Sequence, residues 1–373
     1  MIHWSDIEEK LTRTQILPNQ LCKYCLIPVS KQNKIFQNGC FSCLTAKKNI
    51  SIAKSKRKLA IPILKGKKNY DCIVGLSGGV DSSFLLHKLV REGLNPFAVH
   101  IDNGWNTSNA TNNIHKIVTN LGVGFKTIVL NWKQFRKMQL ALMNADVVDF
   151  ENATDHMIFA CLYKISQKLG NLPIAHGINI SSENAMPPGL IHNKHDKLHL
   201  QALYFKKNKS LPYKLPFFSN FEIGLYNFYN RNKWISALDY FNYDKSIAQN
   251  LLIKTYDYKP PKRKHEESLV TKIYQRLILP IKFGSDKRLG HFSSLINSGQ
   301  MKRIDALKKA KEPFYESKLD LRNDIKRFLT YLELDKKQFL EYLNRKPVAH
   351  SNYISDQFYI KILIKIKAFL NES

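Results

Sequence analysis

The chain lacks a run of about 18 consecutive apolar residues, the length a helix needs to cross a bilayer, which argues against a membrane span. Its opening, Met1-Ile2-His3-Trp4-Ser5-Asp6, has neither the basic start nor the apolar stretch of a secretory signal. Cysteine is scarce, six in 373 residues. Four of the six fall in two close pairs, which suits metal ligation in a reducing compartment better than a disulfide framework, so the expected localisation is cytoplasmic. Acidic residues are few: 30 Asp+Glu stand against 58 Lys+Arg, for a formal net charge of +28. Such an excess favours a polyanionic partner. The basic residues are nevertheless dispersed in small clusters, such as Lys54-Ser55-Lys56-Arg57-Lys58 and Lys206-Lys207-Asn208-Lys209, within a composition rich in Asn, Ile and Lys. Charge alone therefore does not make nucleic acid the expected partner, nor exclude it. There is no internal repeat. No Gly-Lys-Ser/Thr closes a glycine loop, which excludes the Walker type of phosphate site.

What is present is concentrated at Cys72-Ile73-Val74-Gly75-Leu76-Ser77-Gly78-Gly79-Val80-Asp81-Ser82-Ser83. An apolar run ends in Ser-Gly-Gly-x-Asp-Ser, and an amphipathic stretch, Phe84 to Val90, follows. That order reads as strand, glycine turn, helix. Gly78 and Gly79 let a polyanion approach the main chain. Ser77, Ser82 and Ser83 supply hydroxyl donors, and the helix start, with Val80, supplies amide N–H groups. Asp81 would repel phosphate, so it must serve otherwise, by capping the helix, holding Mg²⁺ or orienting a loop amide.

Upstream, Cys22-Lys23-Tyr24-Cys25 and Cys40-Phe41-Ser42-Cys43 are two C-x-x-C knuckles. Together they can bring four thiolates to one tetrahedral ion, with zinc expected as a structural metal. A unit this small gains from a metal the stability its core cannot supply.

After the loop, short apolar strands alternate with helices. The expected strands are Tyr70–Leu76, Pro96–Ile101, Lys126–Leu130 and Pro173–Ala175. The expected helices are Ser82–Glu92, Thr107–Leu121, Trp132–Ala145 and Thr154–Leu169. This pattern implies an α/β fold with a parallel sheet. Ligands then sit at the carboxyl ends of the strands, so Ser77–Ser83, Asp102–Trp105 and His176–Asn179 should converge. Residues 186–232 read as loop, Ile235–Asp239 as helical, Ser293–Ala310 as two short helices around Ser298-Gly299, and everything after Lys318 as helical. The expected organisation is a zinc-ribbon-like module (1–50), a basic linker (51–69), an α/β domain carrying the glycine loop (70–185), a region completing the site (186–315) and a helical C-terminal region (316–373).

Ser77-Gly78-Gly79-Val80-Asp81-Ser82 resembles the signature of the PP-loop ATP pyrophosphatases, in which the loop holds the pyrophosphate end of ATP. A substrate oxygen attacks the α-phosphorus there, and a nitrogen or sulfur nucleophile then displaces AMP. Several further stretches narrow the resemblance. They are Phe150-Glu151-Asn152-Ala153-Thr154, His176-Gly177-Ile178-Asn179 with Glu183, Lys264-His265-Glu266-x-Ser268, Leu279-Pro280-x-Lys282-Phe283-Gly284-x-Asp286-x-Arg288, and Ser293 to Leu307. With the knuckles, these look like the N-acetyl sugar amidotransferases of bacterial surface-polysaccharide biosynthesis.

The resemblance implies adenylylation of an acetamido oxygen on an N-acetyl sugar, with a nucleotide-linked sugar expected. Ammonia then displaces AMP to leave an acetamidino group. It implies ATP and Mg²⁺, and a separate glutaminase partner, often with a cyclase-like companion subunit. No cysteine here sits in a nucleophile elbow, so ammonia must come from outside the chain. The candidate nucleotide-binding residues are Ser77, Gly78, Gly79, Val80, Asp81, Ser82, Ser83, His100, Gly177 and Asn179. Asp81, Asp102, His265, Glu266, Lys282 and Arg288 are the candidate catalytic residues, with Lys264, Lys287, His176 and Glu183 beside them. Asn152 and Asp155 read as helix-starting residues. The rival readings are a PP-loop enzyme that modifies tRNA and a nucleotide- or RNA-binding subunit without turnover.

Overall fold

A computed structural model describes residues 1–56, 69–187, 189–224 and 234–356. Five strands form one parallel sheet: β3 (Cys72–Gly75), β4 (Pro96–Asp102), β5 (Phe125–Val129), β6 (Ile174–His176) and β7 (Trp234–Ser236), in the order β5-β4-β3-β6-β7. Two two-residue strands, β1 (Ile35–Phe36) and β2 (Gly39–Cys40), pair antiparallel near the N-terminus.

Alternation along β3 sends side chains to opposite faces. Cys72, Val74 and Leu76 join the core under the helices Val80–Arg91, Ser108–Leu121 and Lys245–Tyr256. Ile73 faces the larger core, where Trp132–Ala145, Asn152–Lys168 and the C-terminal helices pack. Gly75 lies on that same face, and a Cβ there would stand 3.0 Å from Leu162. Local chemistry sets the helix limits. Thr107 and Asn131 accept amide hydrogen bonds at two N-termini, and Gly122 closes the first of those helices at φ +62°.

The parallel α/β expectation and the helical C-terminal region hold, with several differences of detail. Of the residues read as helical at Ile235–Asp239, the first two belong to β7 and the rest to a 3₁₀ turn, Ala237–Tyr240. A three-residue strand paired with β6 is too short to show a period of two. The expected loop at 186–232 contains a helix, Lys197–Asn208, whose buried residues are His199, Leu200, Leu203 and Tyr204. Its lysines and histidines hide that stripe in the sequence. The helix Phe41–Lys56 crosses the expected boundary at residue 50, and β7 lies beyond the boundary at 185. Helices run over Lys318–Leu332 and Lys336–Asn344, after which only a short 3₁₀ turn, His350–Asn352, is regular among the described residues. The rest of the expected basic linker (57–68) and of the expected C-terminal helix (from 357) lies outside the described residues. Among the described residues no helix is long and apolar enough to cross a membrane.

The N-terminal segment is not a free-standing module. Its helix Trp4–Thr12 buries Ile7 and Leu11 in the same core as the C-terminal helices. Arg322 donates to both carboxylate oxygens of Glu8 through Nε and Nη2 at 2.7 Å. The amide of Ile2 donates to Asn344, whose side chain donates back to the Ile2 carbonyl.

Candidate active site

The loop after β3 opens the site. Gly78 has φ +80°, and a Cβ there would lie 2.5 Å from the Ala110 carbonyl oxygen, so only glycine fits between this turn and the neighbouring helix. Gly79 stands at the N-cap of Val80–Arg91, where no side chain caps the helix. The first amides of the helix therefore point outward without a side-chain acceptor. Hydroxyls surround them. Ser77 Oγ accepts from the Gly79 amide at 3.2 Å and lies 3.2 Å from Ser82 Oγ, which also accepts from the Ser77 amide. Ser83 Oγ is fully buried with no hydrogen-bond partner among the described residues. Uncapped amides among three serines suit a phosphate group.

The three strand ends are brought together. The His100 ring donates through Nδ1 to the Leu76 carbonyl at 2.8 Å, leaving Nε2 to accept from Asn106 at 3.2 Å. Asp102 Oδ1 accepts from the Gly104 amide, holding the turn after β4. Gly177 presses directly on the loop helix, because a Cβ there would fall 2.9 Å from the Ser82 amide nitrogen. Asn179 caps the short helix Ile180–Glu183, accepting from the Ser182 amide and hydroxyl. His176 stacks on Trp234 with ring centroids 5.0 Å apart, and burial pushes its pKa down to about 4, so it stays neutral.

The opposite wall carries charge. Lys264 Nζ lies 2.9 Å from Asp81, 2.8 Å from Glu183 and 2.6 Å from Ser182 Oγ. Burial works against both Asp81 and Lys264. It would raise Asp81, but Lys264, Lys245 and the Tyr243 hydroxyl outweigh it and hold the carboxyl below its ordinary value. Lys264 is likewise lowered by burial and raised further by Asp81 and Glu183. Asp81 thus acts as the partner of a buried ammonium. His265 adopts φ +66° and places Nε2 3.2 Å from Glu183. Glu267 reaches Ser77 Oγ at 3.4 Å and would meet a Cβ on Gly79 at 2.8 Å, so it stands against the loop. Beside Gly78 a groove opens between Thr107, Asn109, Lys259, Glu267, Lys272 and Arg327.

Three expected catalytic side chains lie elsewhere. Glu266 is held by Arg276 through a two-pronged contact. Lys282 is fully buried against Asp146 at 3.0 Å and donates to the carbonyls of Tyr342 and Arg345, at the end of Lys336–Asn344. Arg288 pairs with Asp286 and donates to the Ala310 and Glu312 carbonyls, at the end of Arg303–Lys311. Both lysine and arginine satisfy helix C-termini instead of meeting the loop. Lys287 is paired with Glu151 at 3.0 Å. Asp155 pairs with Lys194 at 3.0 Å, and Asn152 donates to the Asn193 carbonyl. Sequence reasoning missed Glu267, Lys245, Tyr243 and His291. His291 is buried with neither ring nitrogen hydrogen-bonded among the described residues, and its ring lies 5.5 Å from that of His265.

The cysteines gather as expected. Sγ separations are 3.8 Å for Cys22–Cys43, 3.8 Å for Cys25–Cys40 and 3.7 Å for Cys40–Cys43. Four sulfurs about 2.3 Å from a tetrahedral zinc would be separated by about 3.8 Å, so the residues fit that ion. Gly39 is required beside them, since a Cβ there would approach that of Cys43 to 2.9 Å. The cluster is docked on the body of the protein: Leu26 donates to Ser293, and Arg303 donates to the Cys22 and Cys25 carbonyls.

Residues 267–367 match the family described as LPS biosynthesis protein WbpG-like, C-terminal domain, and residues 59–185 match NAD synthase. The curated tRNA(Ile)-lysidine synthase of Chlamydia pneumoniae is 31% identical over 124 residues, 32% of this chain and 35% of that protein. The chain thus spans about a third of the length of that relative. Among solved structures, the NH3-dependent NAD synthetase of Campylobacter jejuni is 17% identical with a TM-score of 0.28, over 60% of this chain and 98% of that one. NMN synthetase of Francisella tularensis is 16% identical with a TM-score of 0.27, over 60% and 99%. The Ser-Gly-Gly-x-Asp-Ser loop on a parallel sheet, the NAD synthase match and the WbpG-like C-terminal match together support a PP-loop enzyme of the N-acetyl sugar amidotransferase kind.

Proposed function

We propose that the protein converts the acetamido group of a nucleotide-linked N-acetyl sugar into an acetamidino group, using ATP and ammonia. The acetamido oxygen attacks the α-phosphorus of ATP, and pyrophosphate leaves. Ammonia adds to the activated carbon, AMP departs with the former amide oxygen, and a proton is lost. An amide is a poor electrophile, and transfer of AMP to its oxygen supplies the leaving group. What remains for the protein is to position the reactants and neutralise developing charge.

In this reading the Ser77–Ser83 loop holds the pyrophosphate, and Lys264 and Lys245 offset its charge as it leaves. His265, hydrogen-bonded to Glu183, takes the proton that ammonium must lose. Glu267, which stands against the loop, would hold Mg²⁺, whose charge would screen the phosphates. The supporting observation is that Glu267, where the WbpG-like match begins, stands against the loop. Ammonia from a separate glutaminase, with or without a cyclase-like subunit, completes the scheme.

The test is incubation with ATP, Mg²⁺, ammonium and UDP-linked di-N-acetylated sugars. The expected product is lighter by the difference between O and NH, with AMP and pyrophosphate formed in equal amounts. The match to a tRNA-lysidine synthase favours one second reading, adenylylation of tRNA. AMP release that depends on tRNA and ignores every sugar would replace the first reading with the second.

A further inference from the structure

We propose that His192, His199 and His350 form a second transition-metal site, filled by zinc, separate from the four thiolates. The site grows from the start of the helix Lys197–Asn208. Asp196 is its N-cap and accepts from the His199 amide at 2.9 Å. His192 precedes the helix and His199 lies in its first turn. The 3₁₀ turn His350–Asn352 brings the third imidazole from the far end of the described chain. The rings are crowded together, with centroid separations of 4.4 Å for His192–His199, 4.3 Å for His192–His350 and 5.0 Å for His199–His350.

One nitrogen from each ring lies within 4.8 Å of the other two. His350 Nδ1 and His199 Nε2 are 3.0 Å apart. Two imidazole nitrogens on a tetrahedral zinc would be about 3.3 Å apart, so this pair is already close to ligand spacing. The outward-facing nitrogens also have the partners that metal-bound histidines use. His192 Nε2 lies 2.9 Å from the Asp196 carboxylate, leaving Nδ1 as its ligand atom. His199 Nδ1 lies 3.1 Å from the Ile354 carbonyl, leaving Nε2. Asp196 is itself fixed by the Ser355 hydroxyl and the Asp356 amide.

Without a metal, His350 Nδ1 can donate to His199 Nε2 while its Nε2 accepts a long 3.4 Å bond from the Asp149 amide. Metal binding moves the His350 proton to Nε2 and gives up that long contact. In return, an ion tethers residues 350–356 to the start of Lys197–Asn208. An all-nitrogen set with a carboxylate behind it suits zinc, and a thiolate-seeking ion would choose the cysteines.

The experiment is equilibrium dialysis of the full-length protein against excess zinc, then against metal-free buffer, with metal counted by mass spectrometry. Two zinc ions per wild-type chain are expected, and one in His350→Ala, a position at the surface end of the trio. Cobalt substitution gives an independent reading. The intense thiolate-to-cobalt absorption should persist in His350→Ala while the weaker bands of a nitrogen-rich site disappear. One zinc per wild-type chain at saturation would overturn the proposal. So would two ions in both wild type and His350→Ala, since the second would then lie elsewhere. The wild-type count stands even if the variant folds poorly, and neither reading depends on which substrate the enzyme uses.

Discussion

The two walls of the active site are made of opposite materials. The wall built by residues 76–83 and 176–179 offers amides, hydroxyls and glycine, and its one carboxylate, Asp81, is turned to a lysine. The wall that arrives from residues 243–267 offers Tyr243, Lys245, Lys264, His265 and Glu267. The first wall depends on shape: a Cβ at Gly78 or Gly177 would strike backbone. The second depends on charge balance in a buried place, where each ion is tolerable only with its partner. Shape is set by residues close together in sequence. Charge balance is assembled across about half the chain, so the two walls should fail differently.

The largest effect should come from Lys264→Met. It strands Asp81 and Glu183 without their shared ammonium, and breaking a buried pair in this way costs roughly 3–5 kcal/mol. A chemical denaturation midpoint measures the loss, and AMP release should disappear with it. An unchanged midpoint would mean that the charged wall does not work as a balanced set.

Next in size is Gly177→Ala. The new Cβ would stand 2.9 Å from the Ser82 amide, so the loop must shift. AMP release should fall by more than the thermal midpoint does, because the damage is to geometry at a helix end. Equal loss of both would erase the contrast between the walls.

Lys282→Met sharpens the comparison from outside. This lysine is also buried but serves Asp146 and two helix-terminal carbonyls. Stability should drop by about 2–4 kcal/mol, with AMP release per folded molecule unchanged. Loss of turnover without loss of stability would return Lys282 to the catalytic set.

The smallest effect is on acid stability. His156 and His176 are buried with pKa values lowered to about 4 from 6.5. The unfolded chain therefore binds protons first. Stability should be intact above pH 6.5 and decline as pH falls toward 4. His156→Gln should flatten that slope in denaturation curves taken between those limits.

The loop, the three converging strand ends and the cysteine cluster were legible because each is local. A strand, two glycines and a helix follow one another, and two C-x-x-C pairs state their own geometry. Glu267 and Lys245 were not legible, since nothing near them in sequence marks a loop some 165–190 residues away. Lys282 and Arg288 illustrate the converse. A cation beside a glycine turn looks the same whether it meets a phosphate or the carbonyls ending a helix, and here it meets carbonyls. The fifth strand was hidden because three residues carry no period, and Lys197–Asn208 because its apolar stripe is narrow.

The interleaving of the N-terminal segment with the last helices has a consequence for synthesis on the ribosome. The helix that carries Ile7 and Leu11 packs on Lys318–Leu332, which emerges late, and the cysteine cluster waits for Ser293 and Arg303. During that interval a nascent chain displays unsheltered apolar side chains and bare thiols. An ion captured early by the four sulfurs would fold the knuckle in advance and shorten the exposure.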